Sequence, residues 1–179
     1  MPDKKYLVVV DMQKDFIDGS LGTEEAQAIV PAAAARIRDR RAAGYRLIAT
    51  LDTHGENYLD TPEGKKLPVK HCVKGTAGWQ LNPVIREALG DDCLLLEKPT
   101  FGSVRLPEII GKDLENGDSL TVEFLGLCTD ICVVSNVLLI KAHFPEAAIQ
   151  VKADCCAGVT PQKHLAALET MASCQIDLI

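Results

Sequence analysis

A carboxylate, an ammonium and a thiol each stand where a run of apolar residues gives out: Asp11 in VVVDMQKDF, Lys98 in LLLEKPTF and Cys132 in VEFLGLCTDICVV. Together these side chains can carry out covalent acyl transfer. The thiol attacks a carbonyl carbon, the carboxylate takes the thiol proton and returns it to a leaving amine, and the ammonium lowers the thiol pKa while holding the carboxylate. GLCTDICVV is the most pointed of these segments. A strand that ends at Gly126 and turns tightly into a helix puts Cys132 in the first helical turn, where free N–H groups and the dipole favour thiolate and can receive an oxyanion. Gly126 permits the unusual backbone that such a turn needs. Taken singly, Cys128 and Cys132 at i and i+4 also fit two small buried hydrophobes, and Asp11 with Lys98 also fits an ion pair that merely closes a sheet.

A second group of residues could bind a metal ion. Asp52 and His54 in LDTH lie at another strand end, where D-x-H sends both side chains to one face, and His71 follows downstream in VKHC. Oxygen and nitrogen donors of this kind suit zinc, iron or manganese, and Glu63 in the intervening loop is a fourth candidate. His143 and His164 read as helix-surface residues.

These side chains share a site only if the elements that carry them end on one side of a sheet. Short apolar runs alternate with longer amphipathic ones, the pattern of βαβ units, so the expected class is α/β with a three-layer α-β-α architecture and a central, mainly parallel sheet. Strands are predicted at 6–10, 45–51, 93–97, 119–125 and 148–153, with the last residues as an edge strand. Helices are predicted at 24–43, broken near Pro31, and at 79–89, closed by Gly90. Further helices are predicted at 106–114, at 129–144 capped by Thr129 or Asp130, and at 161–174 opened by Thr160-Pro161. Residues 52–78 form a polar loop too long for a simple connection, and such loops are often functional. No repeat or linker interrupts the chain, so 1–179 reads as one domain.

Composition narrows the partners. The 179 residues are 47% hydrophobic with a formal net charge of −6, which offers no basic footprint for nucleic acid or an anionic membrane. The apolar run before Asp11 is too short for a signal peptide or a membrane span. The seven cysteines are an odd number without a secretory signal, which argues for reduced thiols in a cytoplasmic protein.

The ordered set VVVDMQKDF, LDTH, LPVKHCVKGT, LEKPTFGS and GLCTDICV resembles the cysteine hydrolases of the isochorismatase-like superfamily, in particular its nicotinamidase (pyrazinamidase) branch. The resemblance covers essentially the whole chain and implies the isochorismatase-like hydrolase fold. It further implies that Asp11, Lys98 and Cys132 are a catalytic triad, that Asp52, His54 and His71 ligate a metal, and that Glu63 matches a ligand seen in some members. A cis peptide is implied between Leu127 and Cys128, with the N–H groups of Cys128 and Cys132 as oxyanion hole and Phe16 lining the substrate pocket. The implied activity is hydrolysis of nicotinamide to nicotinate and ammonia through a thioester, as part of NAD salvage. The implied cofactor is one divalent metal ion, zinc before iron or manganese, and relatives are often homo-oligomers.

Two other readings compete. A sibling hydrolase would act on another small amide or an N-carbamoyl compound; a non-enzymatic metal or redox thiol module would leave Asp11 and Lys98 unexplained. One departure bears on the substrate. Leu67-Pro68-Val69-Lys70-His71 has leucine where nicotinamidases commonly carry an aromatic residue, and Phe101 or Trp79 are the candidates to replace it.

Overall fold

The structure, a computed structural model, describes residues 3–179. In chain order the elements are β1 (Asp3–Val10), α1 (Lys14–Ile17), α2 (Glu24–Ala28), α3 (Val30–Ala42) and β2 (Arg46–Asp52). After a 3-10 turn at Tyr58–Asp60 come α4 (Pro62–Lys66), α5 (Pro83–Leu89), β3 (Leu94–Lys98), α6 (Arg105–Gly111) and β4 (Ser119–Leu127). A π-helical turn at Thr129–Val133 leads into α7 (Val134–His143), followed by β5 (Ala148–Ala157), α8 (Pro161–Ser173) and β6 (Asp177–Leu178).

Among the described residues the six strands are all parallel, in the order β3-β2-β1-β4-β5-β6. The chain steps one way from β1 to β3, then crosses to β4 and steps the other way. Right-handed crossovers therefore place α3 and α5 on one face and α6, α7 and α8 on the other. The side chains of Leu7, Val8, Val9 and Val10 are all completely buried, because β1 is central and covered on both faces. On β4, the buried Glu123 carboxylate accepts from Arg36 Nε at 2.6 Å and Arg40 Nε at 2.7 Å, which ties α3 to the sheet. Among the described residues, no helix is long and apolar enough to cross a membrane.

Several boundaries differ from the sequence reading, each for a local reason. The helix predicted from Trp79 begins at Pro83, because the Asn82 side chain caps the Val84 N–H at 3.0 Å and residues 79–82 are tied to the β1 exit instead. There, Lys14 N–H donates to Gln80 O and Asn82 N–H to Met12 O, both at 2.9 Å. The break in the 24–43 helix falls at Ile29, so that Pro31 sits near the start of α3 where its missing N–H costs nothing. Strand β5 continues to Ala157 past an irregularity opposite Phe124 and Gly126. The polar loop contains α4, whose N–H at Gly64 is capped by the Thr61 hydroxyl at 3.0 Å. Neither Thr129 nor Asp130 caps the helix after β4; Cys128 holds that position without a side-chain bond.

Candidate active site

The carboxyl ends of four parallel strands supply the site. The direction of winding reverses between β1 and β4, and in such sheets the crevice for a ligand opens at that point. Register sets the neighbours: Val10 lies beside Thr50 and Gly126, and Asp52 lies beside Lys98. Gly126 is required here on two counts. Its φ is +125°, and a Cβ would stand 2.2 Å from the Val10 carbonyl oxygen. Asp11 itself adopts φ 47°, an uncommon conformation that Asp tolerates better than most residues.

Asp11, Lys98 and Cys132 meet in a buried cluster. Asp11 Oδ1 accepts from the Thr50 hydroxyl at 2.6 Å, and Oδ2 forms a 2.6 Å ion pair with Lys98 Nζ. The ammonium also reaches Cys132 Sγ at 3.4 Å, the Thr100 carbonyl at 3.1 Å and Asp52 Oδ1 at 3.5 Å. Oδ2 of Asp11 lacks an aligned hydrogen bond despite its ion pair, and with the Cys132 thiol beside it, it is placed to take the thiol proton.

Electrostatics decide where the protons rest. Burial raises the Asp11 pKa even against the charge of Lys98. Burial and then the Asp11 charge push the Cys132 thiol well above its ordinary value, with Lys98 pulling the other way. For Lys98, burial favours loss of the proton, but the charges of Asp11, Cys132 and Asp52 outweigh it and keep the ammonium. Burial and the Asp11 charge thus favour the neutral thiol at Cys132, against the helix dipole and Lys98, which favour the thiolate. The dipole acts only within about half a charge, whereas desolvation and a full neighbouring carboxylate oppose ionisation.

Asp52, His54 and His71 form the second cluster, with donor atoms all within 4.8 Å of one another. Asp52 Oδ2 lies 2.9 Å from His54 Nε2 and 3.4 Å from His71 Nε2, and Glu63 Oε1 lies 3.8 and 3.9 Å from the same two nitrogens. The Val69 carbonyl can only accept, so His71 Nδ1 donates to it at 2.9 Å, which turns Nε2 toward the cluster as the nitrogen that a metal would use. Burial pushes Asp52 up, but the imidazoles and Lys98 outweigh it and hold it below the carboxylate range. Two imidazole nitrogens and two carboxylate oxygens converging in this way fit a divalent ion of the zinc, iron or manganese kind.

Cys132 of the first cluster and Asp52, His71 and Glu63 of the second line one cavity of about 280 Å³ together with Phe16, Leu67, Phe101, Cys128 and Ile131, with Leu21, Val159 and Lys163 farther round the wall; Asp11 and Lys98 lie buried behind Cys132, and His54 lines a neighbouring groove. The Phe16 ring lies 5.5 Å from that of His71. Of the two candidates to replace an aromatic wall at Leu67, Phe101 lines the cavity. Trp79 does not; its indole donates to Thr53 Oγ1 at 2.9 Å and its ring faces another groove. The peptide bond between Leu127 and Cys128 is cis, and the N–H groups of Ile131 and Val133 both donate to the Cys128 carbonyl, at 3.0 and 3.1 Å.

Four supporting residues escaped sequence reasoning. Thr50 fixes Asp11. Gln13 accepts from the Asp52 N–H at 2.7 Å and donates to the carbonyls of Asp52 at 2.9 Å and Trp79 at 2.7 Å. Asp15 accepts the Cys72 N–H at 2.8 Å and so steadies the segment that carries His71. Asn136 donates to the Cys132 and Phe101 carbonyls at 2.8 and 3.2 Å and accepts the Ser103 N–H at 3.0 Å. Their signal was polarity within apolar or helical runs, since a buried polar side chain must find partners. His164 is also not a plain surface residue: half-buried, its Nδ1 lies 2.7 Å from Thr129 Oγ1.

Known proteins are similar to this chain along its length. The isochorismatase domain family matches residues 5–179. A nicotinamidase/pyrazinamidase of Mycobacterium tuberculosis is 29% identical, and the match covers 98% of each chain. The solved pyrazinamidase of Pyrococcus horikoshii in complex with zinc is 28% identical, with a TM-score of 0.84 over 98% of both chains. The N-carbamoylsarcosine amidase of Thermoplasma acidophilum is 27% identical, with a TM-score of 0.78 over 98% of this chain and 95% of that one.

Proposed function

Because this chain belongs to the isochorismatase family and is an amidohydrolase, we propose that its reaction is hydrolysis of nicotinamide to nicotinate and ammonia through a Cys132 thioester. The observation that carries the reading is one cavity lined by Cys132, which the buried Asp11 and Lys98 back, and by Asp52 and His71 of the metal-ligating cluster.

In this mechanism Cys132 Sγ attacks the amide carbon as its proton passes to Asp11. The developing oxyanion is received by the N–H groups of Cys128 and Cys132. When the tetrahedral intermediate collapses, the C–N bond breaks and Asp11 gives its proton to the departing nitrogen, releasing ammonia. Water then attacks the thioester with Asp11 as base, the C–S bond breaks, and the thiol recovers its proton as the carboxylic acid leaves. Lys98 acts throughout as a fixed positive charge, 2.6 Å from Asp11 and 3.4 Å from the sulfur. A thiol held above its ordinary pKa is a poor nucleophile alone, so the base is needed at the moment of attack.

Asp52, His54 and His71, with Glu63, would hold the divalent ion, whose chemistry there is Lewis-acid binding of a ring nitrogen lone pair. The similarity to a zinc-bound pyrazinamidase supports zinc as that ion. Phe16 and Phe101 supply aromatic walls for the ring, while Leu67 supplies an aliphatic one. This assignment makes the chain a cytoplasmic enzyme of NAD salvage, a single domain acting on a small amide, and a homo-oligomer by analogy with its relatives.

The test is ammonia release from nicotinamide by the zinc-loaded protein, beside a panel of aliphatic amides and N-carbamoyl amino acids. Release from nicotinamide that disappears in Cys132→Ala supports the reading. Release from an N-carbamoyl compound alone would transfer the chain to the sibling reading, and silence on every compound would overturn both.

A further inference from the structure

The turn that carries Cys132 is pinned from a side the triad does not use. Thr129 begins this turn and is completely buried, and its hydroxyl lies 2.7 Å from Nδ1 of His164 on α8. The next residue, Asp130, accepts the Val159 N–H through Oδ1 at 2.9 Å. Gly158 closes the contact. A Cβ there would stand 2.7 Å from the His164 N and 2.9 Å from Asp130 Oδ1, so the β5–α8 connection can approach the turn only as glycine. The same connection contributes Gly158 and Val159 to the cavity wall, and Lys163 follows on α8.

We propose that His164 is a positioning residue for the nucleophile, accepting the Thr129 hydroxyl at Nδ1 and so locking the Cys128–Val133 turn to the wall of the cavity. The inference rests on Cys132 being the nucleophile. A neutral imidazole is required, and burial lowers the His164 pKa against the opposing charge of Asp130. The latch acts on geometry rather than on protons. With the hydroxyl held, the thiol and the two N–H groups of the turn keep fixed positions relative to Asp11 and Lys98, and displacements of about 1 Å in such an array can cost on the order of a hundredfold in rate.

His164→Ala, His164→Asn and Thr129→Val separate this role from bulk stability, because the Asn side-chain oxygen can replace Nδ1 as acceptor. The zinc-loaded protein is assayed for kcat and KM on whichever amide it hydrolyses, and for amide hydrogen exchange in the peptide spanning 128–134. His164→Ala and Thr129→Val are expected to lower kcat by roughly tenfold or more with KM within about twofold. They should also speed exchange in that peptide, and the double variant should be no worse than either single one. His164→Asn is expected to bring both readouts back to within about threefold of the parent, since it keeps the acceptor that the Thr129 hydroxyl requires. Unchanged exchange in His164→Ala, or an Asn variant as impaired as the Ala variant, would overturn the latch. Exchange needs no substrate, so a failed assignment of the amide leaves this outcome readable.

Discussion

Two fully buried carboxylates sit on neighbouring strands and lead opposite lives. Glu123 on β4 is held by Arg36 and Arg40 through three hydrogen bonds of 2.6 to 3.1 Å, so both oxygens are satisfied. Asp11 at the end of β1 has one oxygen bonded to Thr50 and the other facing an ammonium and a thiol without an aligned hydrogen bond. A saturated buried charge has nothing left to exchange and serves the architecture. One left partly unsatisfied, beside a group that can give it a proton, is suited to chemistry.

Substitution should separate the two most sharply. Asp11→Asn and Cys132→Ala are each expected to lower kcat by about 10⁴-fold or more, because members of a nucleophile–base unit fail together, while thermal unfolding shows a folded chain. Glu123→Gln should do the reverse. Breaking a buried pair costs about 3 kcal/mol, seen as a lower Tm, with kcat nearly unchanged. Loss of turnover in Glu123→Gln at parental stability would erase the distinction.

The metal cluster extends the comparison to pH. Burial lowers the His71 pKa, but hydrogen bonds to Asp52 and Val69 outweigh this and hold it above the ordinary imidazole value. In the metal-free protein, protons therefore compete for Nε2 up to a higher pH than for a free histidine. Zinc affinity measured by calorimetry should weaken as pH falls through that raised pKa and level off above it. His71→Ala should lower the affinity by at least about tenfold and remove most of this pH dependence.

A smaller effect tests the partial satisfaction of Asp11 directly. The Thr50 hydrogen bond lowers the Asp11 pKa, so Thr50→Val should raise it further. Asp11 must be ionised to accept the thiol proton, and activity falls as pH drops through its pKa. The acid limb of kcat/KM should thus move to higher pH in Thr50→Val; an unmoved limb would assign that limb to another group. Smallest of all, Leu67→Trp is expected to lower KM for nicotinamide by roughly fivefold, the size of one aromatic pair, and to leave acetamide unaffected.

The succession of strands and the chemistry at their ends were legible in the chain. Apolar runs ending in Asp11, Asp52, Lys98 and GLC-TDIC carry their signal within a few residues, and a parallel sheet brings such ends together whatever the loops do. Element limits were less legible where side chains competed. Asn82 displaced Trp79 as helix start, and Thr129 and Asp130 turned their side chains to His164 on α8 and to Val159 in the β5–α8 connection instead. Among the aromatic candidates, sequence could not separate Phe101 from Trp79, because the Phe101 backbone and the Trp79 ring are held by partners far along the chain, Asn136 and Thr53.

By itself, the sequence determined the α/β class, the succession of strands and helices along the chain and the residue types at the strand ends, since periodicity and strand termination are local properties. The tertiary structure decided which groups share a charge, which carboxylate is saturated and how strongly burial opposes ionisation of the thiol. Those outcomes depend on desolvation and on contacts such as Asp11–Lys98 and Thr129–His164, which join residues 87 and 35 positions apart, and no local pattern encodes them.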